Sequence, residues 1–337
     1  MTKKAILIFI LTLLFFTNFI NAQNTHFQLI VLGNGESASE SNHTAYLLGN
    51  GIKNDFICLD AGVVIEGINK SIKKKNFGNN KLFKNQPLNT EYYILRNYIK
   101  AYLITYPGID KIAGLTAAEQ YDTNKYVYAT HNTIENLLQH VFNGKIFNDY
   151  SAQGKNRKYR FVPVNQGDKV TIDNTSFKVE SFYLSHNGNQ STAYLIENAG
   201  LYFLYLGNTG SDISEGTNNI ENLWRYIAPI IRERRLKAIL IECSFTNETD
   251  KDQLFGHLNT KLLSSELEKL EEIVNFKQNT NYIKGLNVII TQIKPSAQKN
   301  IDNKKLVKNQ LLIKNTGGYN FIFPEQGDNI KFYIMSN

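Results

Sequence analysis

LITYPGIDKIAGL, residues 103–115, decides how this chain is read. It runs as a buried strand, then a turn carrying Asp110, then the start of a helix. Taken alone, an aspartate at such a place is a helix cap. Its setting along the chain gives it more weight. Upstream, HFQLIVLG (26–33), TAYLL (44–48), FICLDAG (56–62) and AYLIT (101–105) read as strands bounded by Gly, Asn or Asp. Downstream, VYAT (127–130), YRFVPV (159–164), FKVESFYL (177–184), TAYLIE (192–197) and LYFLYLG (201–207) continue the series, followed by AILIE (238–242), NVIIT (287–291), QLLIK (310–314) and YNFIF (319–323). Helical patterns lie between them at 90–102, 132–142, 218–235 and 259–276. Asn132 and Glu135 suggest a capping box for the second, and Pro229 a kink or split in the third. Strands and helices mix in both halves, with no internal repeat and no Pro/Gly linker. The expectation is one α/β domain over residues 23–337, with two sheets and outer helices. The polar, basic stretch 68–89 reads as a surface loop or insertion within it.

Composition narrows the chemistry. The chain has 337 residues, 42% of them apolar, so a packed core is available and wholesale disorder is excluded. Two cysteines, Cys58 and Cys243, exclude a disulfide framework and a four-cysteine zinc site. Both sit in strand-like runs, where a buried free thiol is the ordinary reading and a single bridge the alternative. No two of the six histidines lie within four residues of each other, so HxH, HxxxH and HExxH motifs are absent. The formal charge is +7, but the basic runs at 70–75, 155–160, 232–235 and 299–305 are scattered, which argues against a nucleic-acid stripe. GNGESASES (33–41) lacks phosphate-loop spacing and reads as an ordinary loop. Residues 1–22 carry Lys3 and Lys4, an apolar run over 5–16 and a small-residue end at Ala22, the pattern of a secretory signal peptide. Export to the periplasm or medium is therefore expected, with no stable membrane insertion after cleavage.

Four further segments complete the setting of residues 103–115. They are YLSHNGNQSTAYLIE (183–197), LYFLYLGNTGSD (201–212), IECSFTNETDKDQLFGHL (241–258) and ITQIKPS (290–296). HNTIENLLQHVFNGKIFNDYS (131–151) and FICLDAG belong with them. Together they resemble the class II cyclic-nucleotide phosphodiesterases, a branch of the metallo-β-lactamase fold, from about Phe27 to the C-terminal strands. The resemblance implies a four-layer αββα sandwich. It implies hydrolysis of 3′,5′-cyclic AMP or GMP to the 5′-monophosphate, and two metal ions, usually zinc, holding a bridging hydroxide.

The departures from the family pattern are as informative as the match. The family's HxHxDHxxG becomes Tyr106, Gly108, Asp110, Lys111 and Gly114. His186 stands at the third-motif histidine, Asn208 replaces the bridging carboxylate and Gln292 the last histidine. One ligand survives for each metal, Asp110 and His186, where zinc wants three or four. The expectation is a pocket without metal cofactors, in which Lys111 pairs with Asp110. His257 is the candidate proton donor or phosphate contact, with a solvent-exposed helix-start histidine as the alternative. Lys111, Lys294 and His186 are candidate substrate-binding residues, for a cyclic nucleotide such as cAMP. Thr209, Gly210 and Ser191 are further possible donors to a phosphate, while His131 and His140 read as surface positions. Tyr106 fills the void or stacks on a base. A weakly active or inactive family member that retains nucleotide binding is the first expectation. A phosphodiesterase with a non-standard mechanism, or an exported scaffold, are the alternatives.

Overall fold

The computed structural model describes residues 27–35, 40–78, 83–150 and 158–333. The signal-peptide reading of 1–22 lies outside the described residues. In the first half, β1 (Phe27–Gly33), β2 (Ala45–Gly49), β3 (Phe56–Leu59), β4 (Ile99–Leu103), β5 (Lys125–Ala129) and β6 (Tyr159–Pro163) are interleaved with α1 (Ile65–Lys73), α2 (Thr90–Asn97), α3 (Ile109–Ala118) and α4 (His131–His140). In the second half, β7 (Lys169–Thr171), β8 (Lys178–His186), β9 (Asn189–Asn198) and β10 (Leu201–Leu206) precede α5 (Asp212–Glu215) and α6 (Asn219–Arg232). Then follow β11 (Leu236–Glu242), α7 (Thr260–Asn275), β12 (Asn287–Thr291), α8 (Asn303–Ile313), β13 (Asn320–Ile322) and β14 (Asn329–Phe332).

The strands form two seven-stranded sheets, ordered β14-β1-β2-β3-β4-β5-β6 and β13-β12-β11-β10-β9-β8-β7. Both faces of each sheet are covered, which is why the strands read as continuous apolar runs. Along β10, Phe203 and Tyr205 pack between the sheets, while Leu204 and Leu206 face Trp224, Leu223 and Ile227 of α6. Along β1, Leu29 and Val31 point inward and Ile30 and Leu32 face α1. The period of two thus builds a central core and two outer ones, giving the expected αββα layering.

Topology gathers the strand exits. β3, β4 and β5 are parallel, as are β10, β11 and β12, and β8 runs in the direction of β10. Their C-terminal ends therefore share an edge of each sheet. The Tyr205 hydroxyl donates to Asp60 Oδ2 at 2.6 Å and joins the two edges. Two glycines allow α3 to lie directly on the β3 exit. A Cβ on Gly62 would fall 1.9 Å from the Asp110 carbonyl oxygen, and one on Gly114 would fall 2.7 Å from the Ala61 carbonyl oxygen.

Several local expectations are corrected. Residues 310–314 are not a strand but the end of α8, where Val307 and Leu311 are buried four residues apart and Ile313 is exposed. A short apolar run alone does not separate the two readings. The helix expected over 90–102 ends at Asn97, and the chain enters β4 at Ile99. Thr130, not Asn132, caps α4, its side chain accepting from the Thr133 amide. α6 runs unbroken through Pro229, which lies in its last turns on the solvent-exposed face. The segment 68–89 is not a plain surface loop. It starts inside α1, and Phe77 and Phe83 return to the outer core around Tyr98. Strands β7 and β14 had no sequence signal. Cys58 and Cys243 are both buried and free.

Candidate functional site

Asp60 leaves β3 with a left-handed backbone, φ 52°, and is fully buried. Its carboxylate accepts from the Thr105 amide at 2.8 Å, the Thr105 hydroxyl at 2.8 Å and Tyr205. Burial pushes its pKa up to about 6, although Lys111 and these hydrogen bonds pull the other way.

Lys111 is the unusual neighbour. It lies in the first turn of α3 and is fully buried. A cation there meets the positive end of the helix and loses its hydration, two penalties at once. Carboxylates offset them: Nζ lies 3.3 Å from Asp110 Oδ2 and 4.0 Å from Asp60 Oδ2. Asp110 sits in the first helical turn rather than in the turn before it, and Gly108 is the N-cap without a side-chain bond.

Across the edge, Glu242 ends β11 fully buried. Its Oε1 accepts from the Thr209 amide at 2.8 Å and its Oε2 from the Ser244 hydroxyl at 2.7 Å. His257 Nδ1 donates to both oxygens, at 3.0 and 2.9 Å. Burial raises the Glu242 pKa, but His257, His186 and the Thr209 amide outweigh it and hold the carboxyl below the usual range. The carboxylate fixes the His257 tautomer and turns Nε2 away from itself. His186 closes the group. Its Nδ1 donates to the Gly256 carbonyl at 2.8 Å, and its ring lies 4.5 Å from His257 and 5.5 Å, edge-on, from Tyr106. Glu215 accepts from the amides of Asn187 and Gly188 and from Ser185, pinning the loop after His186.

The residues singled out in the sequence separate into groups. His257 is buried, not solvent-exposed, and pairs with Glu242 and His186. Lys111 and Asp110 meet as expected, with Asp60 as an added partner. Lys294 lies one ring further out, its Nζ 4.5 Å over Phe245, whose ring is 6.2 Å from His257. Asn208 follows β10 and Gln292 follows β12, both buried. The Thr209 hydroxyl is engaged by the Ser185 and Gly210 carbonyls, and Gly210 packs against Glu215. Ser191 is buried, with no hydrogen-bond partner among the described residues. His131 and His140 lie exposed on α4. Sequence reasoning missed Glu242 and Asp60. Glu242 had one signal: a lone acid closing an apolar strand has to find partners.

Comparison with known proteins agrees with this architecture. The family model for cAMP phosphodiesterases class-II matches residues 26–327. The chain is 35% identical over 316 residues to a 3′,5′-cyclic-nucleotide phosphodiesterase of Aliivibrio fischeri, covering 93% of this chain and 94% of that one. Among solved structures it is similar to unliganded yeast PDE1, with a TM-score of 0.80 at 22% identity, covering 92% of this chain and 100% of the other. It also shares its fold with the metallo-β-lactamase fold protein YhfI of Bacillus subtilis, with a TM-score of 0.57 at 13% identity, covering 90% and 99%. With two sheets between helix layers, a site at their shared edge and a family match over nearly its whole described length, the chain belongs to the class II cyclic-nucleotide phosphodiesterase family.

Proposed function

We propose that this protein binds a cyclic nucleotide such as cAMP in the family's pocket and has lost the dinuclear centre, leaving hydrolysis weak or absent. The observation that carries the reading is the buried Lys111 ammonium between Asp110 and Asp60. Two zinc ions do not fit this donor set. A fixed cation repels a divalent ion and occupies the carboxylates that would attract it. Tyr106 and Gly108 offer no imidazole, and Asn208 and Gln292 are neutral amides. His186, Glu242 and His257 do bring one ligand atom each within 4.8 Å of one another, the one such group found among the described residues. The Glu242 oxygens there are already engaged by Thr209, Ser244 and His257.

The retained groups suit binding and proton handling. Glu242 holds His257 by Nδ1, which makes Nε2 the nitrogen that would carry a proton toward a leaving oxygen, and His186 stands beside it. Acid–base catalysis of this kind supplies about 10²–10⁴-fold, far short of what phosphate-ester hydrolysis needs. A second reading, slow metal-free hydrolysis with His257 and His186 as acid and base, draws support from their 4.5 Å ring separation. Export belongs to the same proposal and rests on the apolar run behind Lys3 and Lys4. Zinc content, cAMP turnover and cAMP affinity, measured on one preparation lacking residues 1–22, test the reading. Nucleotide binding with substoichiometric zinc and no zinc-dependent turnover is the expected result. Turnover that survives chelation and is lost in His257→Ala favours the second reading.

A further inference from the structure

Buried polar groups normally find partners, so each one left without is a sign of something that belongs beside it. Within this fold some lie apart, as at Ser71, Tyr150, Trp224 and Glu266, and several lie at the strand edge just described. His43 is 7% exposed, and neither ring nitrogen has a hydrogen-bond partner among the described residues. Gln292 is fully buried, and both its amide oxygen and nitrogen are in the same condition. Asn208 Oδ1 and the Lys111 ammonium also lack hydrogen bonds, although Lys111 is ion-paired.

These groups stand at strand ends on the shared edge. His43 sits just before β2, which runs antiparallel to β3, and so lies at the β3 exit. A Cβ on Gly62 would touch both the His43 Cβ, at 2.7 Å, and the Asp110 backbone. The Gln292 backbone N–H donates to the Asn34 carbonyl at 2.7 Å, bringing the end of β12 to the end of β1. Gln292 holds a left-handed backbone, φ 61°, which a β-carbon-bearing residue adopts at a cost. A buried side-chain amide with no partner, on a strained backbone, is hard to explain as packing.

We infer that His43, Gln292 and Lys111 form a metal-free seat for a phosphate group, placed where the family would hold its ions. This rests on the proposed loss of the dinuclear centre and names what has replaced it. The unpartnered groups are mostly donors, which suits the oxygens of an anion. Lys111 has no hydrogen bond among the described residues beyond its ion pairs, and His43 and Gln292 each present an N–H donor. The nearby carboxylates are already committed, Asp60 to Thr105 and Tyr205 and Asp110 to Lys111. A cation would meet Lys111 head-on. Phosphate oxygens accept several hydrogen bonds at once, and Asn208 Oδ1 is left to accept from a hydroxyl of the same ligand.

The experiment is calorimetric titration of the chelator-treated protein with inorganic phosphate, cAMP and adenosine. Its zinc content is recorded before and after chelation. The expected result is binding of phosphate and cAMP in competition, with adenosine much weaker. Affinity for both anions should fall at least about tenfold in Gln292→Glu, which keeps the size and reverses the character of the amide. In the unaltered chain, phosphate should also shift the imidazole resonances of His43, a readout that does not depend on a variant folding. Metal-free protein that ignores phosphate, or binds it with His43 unmoved and Gln292→Glu unaffected, overturns the seat while leaving the metal-loss reading standing. Two zinc ions per chain, with phosphate binding that vanishes on chelation, overturns both.

Discussion

The two halves of the site are built on opposite principles. Around Glu242 the hydrogen bonds close on one another: three donors converge on one carboxylate, and His186 is tied to Gly256. Around Lys111 a buried side chain rests between two carboxylates, His43 beside it holds unsatisfied ring nitrogens, and Gln292 and Asn208, at the facing ends of β12 and β10, hold unsatisfied amide atoms. The first half is complete without a ligand and serves to orient His257. The second has the composition of a cavity that expects one.

The contrast breaks most visibly at Glu242. Glu242→Ala leaves the Thr209 amide, the Ser244 hydroxyl and His257 Nδ1 without their acceptor. Removing one partner of a buried, hydrogen-bonded pair costs roughly 3–5 kcal/mol. Thermal unfolding should show a midpoint lowered by roughly 5–15 °C. A near-neutral result would mean that this half is not held together as described.

Lys111 tests the other half through coupling. Lys111→Met exposes Asp60 and Asp110 to each other's charge without a cation between them, and should destabilise strongly. Adding Asp60→Asn should recover part of the loss, with a coupling of about 0.5–3 kcal/mol in a double-mutant cycle. Strict additivity would show that the 4.0 Å approach carries no energy.

A smaller effect follows from the raised Asp60 carboxyl. Its pKa is about 6 in the fold against 3.8 for the free group. Below about pH 4 the group is protonated in both states and contributes nothing. Between about pH 4 and 6 the unfolded chain ionises first, so stability is lost as pH rises. Asp60→Asn, which does not titrate, should therefore gain on the unaltered chain across that window, by on the order of 2–3 kcal/mol. Unfolding midpoints of both chains against pH check this; parallel curves would refute it.

The smallest effect has the most telling sign. Gln292→Leu replaces an amide that has no partner among the described residues. Replacing an unsatisfied buried polar group by an apolar one is near neutral or stabilising, by about 1 kcal/mol. A loss of several kcal/mol, seen by denaturant unfolding, would mean that Gln292 is already satisfied.

The layered fold was legible in the sequence because strands covered on both faces must be almost wholly apolar, as FQLIVLG (27–33) and LKAILIE (236–242) are. Where apolar runs were short or ran together, the reading failed: 310–314 became helix, and 98–102 turned from helix into strand. The replaced family positions were legible because Lys111, Asn208 and Gln292 stand inside a recognisable pattern. Their partners were not. Asp60, His43 and Glu242 join the site through contacts across the chain, such as Tyr205 to Asp60 over 145 residues, and local pattern carries no trace of them. The burial of His257 followed from the same cause, since the carboxylate that accepts it comes from a separate strand.

The most direct test of the account is the zinc stoichiometry of protein saturated with zinc and then desalted, read beside cAMP turnover. Well under two zinc per chain and no turnover that depends on zinc are expected. Two zinc per chain, with hydrolysis abolished by chelation, would contradict it.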